Sequence, residues 1–170
     1  MLYKKSYPKI ALFNLLIFAV LVIVQSSGVL PLRIKQATPL YILGLLVAYC
    51  VFSSVKYSAL AGFLVGAVLD STAAEGYCFN TITLTLLGVA VCLCANNLFN
   101  KNILAASVMS LLSSFIYFGT NWLIFNAFDI SLSSGIEFLF HFSLPSAIYS
   151  AAFVVPFFYI YKHFDNIRNK

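Results

Sequence analysis

One carboxylate and two glycines carry the pattern in this chain that best suggests specific chemistry. Gly62, Gly66 and Asp70 recur every four residues within the apolar run Tyr57–Gly76. On an α-helix that spacing drifts by only about 40° per step, so all three share one face, extended by Ala59 and Ala73. Gly-x-x-x-Gly lets two helix backbones approach closely, and Asp70 places a charge at the end of the same strip. Two uses follow. The strip packs on another helix of the same chain, with Asp70 a structural acid bonded to Ser71, Thr72 or a neighbouring hydroxyl. Alternatively, it receives a partner or ligand, with Asp70 as a polar contact or proton site.

Other candidate groups are sparser. Glu75, Asn80, Asn126, Glu137 and His141 fall near the same ends of their apolar runs and form a possible polar cluster on the outer side. Glu137 and His141, four apart, are within pairing distance on a helix. Cys92 and Cys94 point about 200° apart on a helix and cannot share a metal. With Cys50 and Cys78 they lack the paired spacers of a zinc site, so no metal or cofactor is expected. Asn14, Gln25, Thr81, Thr83, Thr85, Ser110, Ser113 and Ser114 read as hydrogen-bonding links between helices. No phosphate-binding loop, His-Glu-x-x-His, Gly-x-Ser-x-Gly or nucleophile with an identifiable base occurs, and an enzyme is not expected.

The elements that must position these groups are set by composition. Of 170 residues, 62% are hydrophobic and only 9% charged, so almost the whole length is apolar runs separated by single charges. About 20 residues at 1.5 Å rise cross a hydrocarbon core of roughly 30 Å. The runs predict one all-α membrane domain, a compact bundle of six transmembrane helices near 10–30, 39–55, 57–74, 78–99, 103–127 and 138–161. Pro39 suits the opening of the second helix, and Pro145 or Pro156 is expected to kink the sixth. With helix three running from Lys56 toward Glu75, Asp70 lies about one and a half turns below the outer surface. An acid there costs roughly 2–4 kcal/mol unless paired or hydrated, and it should face protein.

The net charge of +5 does not indicate nucleic acid, because the basic residues are dispersed at the ends of apolar runs and form no basic face. They follow the positive-inside pattern: Lys4, Lys5, Lys9, Lys56, Lys101, Lys162, Arg168 and Lys170 on one side against Arg33 and Lys35 on the other. Both termini are therefore expected in the cytoplasm. The first run is longer than a signal-peptide core, lacks a clean cleavage site and is read as a helix that stays.

Pro39, the run into Gly62-x-x-x-Gly66-x-x-x-Asp70, and Gly76 with the apolar helix after it resemble the rod shape-determining protein MreD family of bacteria. The resemblance extends to length and six-helix layout and is concentrated in residues 37–100. It implies a non-enzymatic inner-membrane component of the lateral-wall elongation machinery. Its implied partners are the bitopic protein MreC, the glycosyltransferase RodA and a class B penicillin-binding transpeptidase, with the actin-like MreB filament reached directly or through MreC. On that reading Gly62, Gly66 and Asp70 form the partner contact. The alternative is a substrate-binding subunit of an energy-coupling-factor vitamin transporter, with Asp70, Asn80, Trp122, Asn126 and His141 converging on an outward pocket.

Overall fold

The computed structural model describes residues 8–27, 40–72, 78–97, 102–125 and 144–168. These fold into seven helices: α1 Pro8–Ser27, α2 Tyr41–Phe52, α3 Val55–Thr72, α4 Phe79–Asn97, α5 Ile103–Phe125, α6 Leu144–Ala152 and α7 Val154–Arg168. Among the described residues there is no strand. The helices α1 to α5 start and end within a few residues of the expected boundaries. The sixth predicted run appears as two helices, broken at Phe153. Proline at 156 has no N–H to offer the carbonyl of Ala152, so a continuous ladder is interrupted there.

Six full-length crossings are not what length and composition alone support. Among the described residues, three helices are long and apolar enough to cross a membrane: Phe79–Asn97, Ile103–Ile124 and the broken Leu144–Asn166. The apolar helix Tyr41–Phe52 and the segment Leu16–Gln25 are shorter. At 12 residues, α2 is about 18 Å long, well under the hydrocarbon thickness.

That short helix is the centre of the molecule, in contact with each of the other six. It is apolar on every side, the composition of a helix enclosed by others. Ile42, Leu43, Leu45, Ala48 and Cys50 have no exposure at all. Its Gly44 lets the chain break between α6 and α7 come close: a Cβ there would lie 3.0 Å from the Phe153 carbonyl carbon and the Val154 nitrogen. The buried N-terminus of α2 is capped from outside. Leu40 N–H donates to Ser150 Oγ (2.8 Å) and Tyr41 N–H to Gln25 Oε1 (3.0 Å), satisfying two of the donors every helix start leaves orphaned.

Contacts fix the directions of the helices. Phe18 stacks edge-on against Tyr49 at 5.6 Å while Gln25 reaches Tyr41, so α1 runs antiparallel to α2. Ser58 faces Gly88, and Gly62 faces Leu84, making α4 antiparallel to α3. Leu40 meets Ser150 and Phe52 meets Phe158 (5.2 Å), so the α6–α7 segment runs in the direction of α2. Lys56 and Lys162 thus sit at one end of the bundle and Asp70 at the other. The outward faces are apolar on every side: Val20 and Ile23 on α1, Phe63 and Leu64 on α3, Leu86 on α4, Leu112 and Ile116 on α5, Ile148 on α6 and Tyr159 on α7 are all exposed.

Candidate functional site

The glycine strip is used inside the chain. α3 and α4 make the most extensive helix–helix contact in the bundle, and its centre is backbone against backbone. A Cβ at Gly62 would lie 2.5 Å from the Leu84 carbonyl oxygen, and one at Gly66 would lie 2.6 Å from the Asn80 carbonyl oxygen and closer still to Thr81 Cα. From the opposite helix, a Cβ at Gly88 would meet the Ser58 carbonyl at 2.9 Å. In lipid, where tails are as apolar as side chains, such close packing is what draws helices together. A partner helix seated directly on Gly62 and Gly66 would have to displace α4.

Asp70 closes this pair at its far end. The first turn of α4 begins after Cys78, which has no side-chain acceptor suited to capping. The carboxylate of Asp70 does that job from the neighbouring helix. Its Oδ1 accepts from Asn80 N–H at 3.0 Å, and its Oδ2 accepts from Thr81 N–H at 2.8 Å and from the Thr81 hydroxyl at 2.5 Å. Asn80 and Thr81 are the second and third residues of α4, the positions whose N–H groups a helix cap normally satisfies. The anion also lies at the positive end of the α4 dipole. The acid is therefore paired, and each of these bonds it makes as an acceptor. Ser71 and Thr72 bond instead to carbonyls of their own helix, Val68 and Leu69.

The network continues into α5. The Tyr117 hydroxyl, on a side chain only 7% exposed, donates to Asn80 Oδ1 at 2.5 Å. Its ring lies 5.7 Å from that of Phe79. One carboxylate thus organises three helices: Asp70 of α3 holds the first turn of α4, and Asn80 of α4 holds α5. Thr85 continues the polar edge by donating to the Thr81 carbonyl.

Of the sequence-predicted residues, Asp70 and Asn80 come together, while Gly62 and Gly66 support them along the α3–α4 seam. Glu75, Asn126, Glu137 and His141 lie outside the described residues. Tyr117 is the member that sequence reading missed. Its signal was present, because Ser110, Ser114 and Tyr117 recur at spacings of four and three and mark one polar stripe on α5. Among the described residues no three His, Cys, Asp or Glu side chains gather as a metal site. Cys50 and Cys92 are fully buried and Cys78 is exposed. The Cys92 thiol is placed to donate to the Ser53 carbonyl at 3.4 Å. A comparison with known protein families, curated proteins and solved structures finds no match to this chain.

Proposed function

We propose that this chain is a non-enzymatic, multi-pass protein of the bacterial inner membrane that serves cell-wall elongation and rod-shape determination as a scaffold. On this reading α1, α2, α3, α4, α5 and the α6–α7 segment cross in alternating directions, with both termini and Lys56 and Lys162 on the cytoplasmic side. Asp70 then lies toward the outer face. The observation that carries the proposal is the outward apolar surface on six of the seven helices combined with a polar network that serves the bundle itself. The family resemblance of residues 37–100 supplies the biological setting.

A bitopic MreC-like protein is the proposed direct partner, with the elongation glycosyltransferase and transpeptidase in the same assembly and the MreB filament reached indirectly. Gly62, Gly66 and Asp70 serve that contact from beneath. They fix α3 on α4 and so set the shape of the face that α3 turns outward, which carries Leu60, Phe63, Leu64 and Val68.

The test is gentle solubilisation of the tagged full chain from its own membranes, followed by protein and small-molecule mass spectrometry of what co-purifies. A stoichiometric single-span protein with a large outer domain, together with wall-synthesis enzymes, is expected. A bound vitamin with an ATPase module would overturn the scaffold reading in favour of a transporter binding subunit.

A further inference from the structure

The outward apolar faces of the bundle are not equally tall. On α5 the exposed apolar residues run from Leu104 through Val108, Leu112 and Ile116 to Ile124, about 30 Å along the axis. That equals a hydrocarbon core of roughly 30 Å. Thr120 on the same helix donates to carbonyls of its own backbone, so its hydroxyl is satisfied within α5. On α3 the exposed apolar residues run only from Tyr57 through Leu60, Phe63 and Leu64 to Val68, about 17 Å. Lys56 and Asp70 close this stretch at its two ends, about 21 Å apart.

The shortness of this face is built into the register of α3 on α4. Asp70 is tied by three bonds to the first turn of α4, so its depth is fixed. At the other end the Cys92 thiol is placed to donate to the Ser53 carbonyl, which sets the α2–α3 turn level with Cys92. From that level α4 continues to Asn97, about 8 Å further. Lys56, exposed just past the recessed turn, begins well inside the end of its neighbour. A lysine so placed snorkels toward the surface, and the bilayer meets a short apolar stretch by thinning. We infer that the α3 face is bordered by a thinned annulus of phospholipid, with a headgroup phosphate drawn in to Lys56, while the α5 face meets a bilayer of ordinary thickness. The inference uses the membrane placement proposed above but not the wall-elongation reading, and it describes the chain before any partner covers α3.

The experiment places a tryptophan reporter on each face of the full chain in turn. The chain holds a single tryptophan, so Trp122→Phe is the background for Phe63→Trp on α3 and Ile116→Trp on α5. Each variant is reconstituted in brominated dioleoyl phosphatidylcholine mixed with unbrominated dimyristoleoyl, dioleoyl or dierucoyl phosphatidylcholine. Relief of quenching reports which lipid takes the place beside the reporter. In Phe63→Trp the dimyristoleoyl lipid should be favoured over dioleoyl by about twofold or more, whereas Ile116→Trp should show no such preference. Adding Lys56→Leu should reduce the preference on α3 and leave α5 unchanged. A Phe63→Trp reporter shielded from lipid, the same preference on both faces, or a preference untouched by Lys56→Leu overturns the inference. If brominated lipid quenches neither reporter, the membrane placement itself fails, whereas equal preference at two quenched reporters removes only the thinning. Leu60→Trp is the second α3 reporter if circular dichroism shows that Phe63→Trp does not fold.

Discussion

Replacing Asp70 by alanine removes three hydrogen bonds at once and leaves the first turn of α4 without its anion. Losing a side-chain cap costs about 0.5–2 kcal/mol, and losing a negative charge at a helix N-terminus costs about 0.3–1 kcal/mol. The side chain is half-buried, so solvent at that end recovers part of the loss, and about 2 kcal/mol remains. For a chain of this size each kcal/mol moves Tm by about 2–4 °C, so Asp70→Ala should lower Tm by about 4–8 °C. Asp70→Asn keeps one acceptor oxygen but not the charge, and should lose about half as much. Thr81→Val removes only the hydroxyl bond and should cost about 1 kcal/mol. Because that bond already ends on Asp70, the double variant should be no less stable than the two single losses combined, and measurably more so. The assay is thermal unfolding of the full chain in detergent, followed by circular dichroism. If Asp70→Ala unfolds within 1 °C of the parent, the carboxylate does not hold α4 and the capping argument fails. If it unfolds normally but no longer recovers the single-span partner, Asp70 is a direct contact and not a brace.

Other expectations follow from the same contacts. Gly62→Ala should destabilise by more than about 2 kcal/mol, since its Cβ would meet the backbone of α4; Gly119→Ala meets nothing within 4 Å and should be neutral or stabilising by about 0.5–1 kcal/mol from helix propensity alone. Parallel melts of the two variants compare these signs directly. Tyr117→Phe should cost about 1 kcal/mol by freeing Asn80 Oδ1, and should show non-additivity with Asp70→Ala in a double-mutant cycle. Ser150→Ala should cost about 1 kcal/mol, because the half-buried Leu40 N–H loses its acceptor; a melt unchanged from the parent would mean that another group accepts it. In the folded protein Cys78 should react with a water-soluble maleimide well before Cys50, and mass spectrometry of the labelled peptides resolves the order.

The apolar runs and their breakers made the helical class and most helix boundaries readable, because in a membrane-type composition hydropathy and charge vary on the length scale of the elements themselves. Gly62, Gly66 and Asp70 were also readable as one face of α3. What that face meets was not, because four-residue spacing defines a stripe and leaves its neighbour open. The answer lay in α4, whose Asn80 and Thr81 look like ordinary polar residues until the register of the helix pair places them over the carboxylate. The central position of α2 was hidden for a related reason. Its sequence is uniformly apolar, and periodicity cannot separate a short buried helix from a short spanning one. The break at Phe153 was half-legible: two prolines signalled a kink, but Gly44, which makes room for it, lies more than a hundred residues away.

The cap on α2 has a consequence for how the chain is made. Leu40 emerges from the ribosome early, whereas its acceptor Ser150 is 110 residues downstream. Until α6 is made, the central helix carries an N–H group without the acceptor it has in the folded chain. Nascent chains halted before α6 should therefore hold α2 loosely and be recognised by membrane quality-control proteases, while the full chain escapes them. A segment made 110 residues later is thus what lets the central helix settle, so α2 reaches its final packing only once α6 has been made.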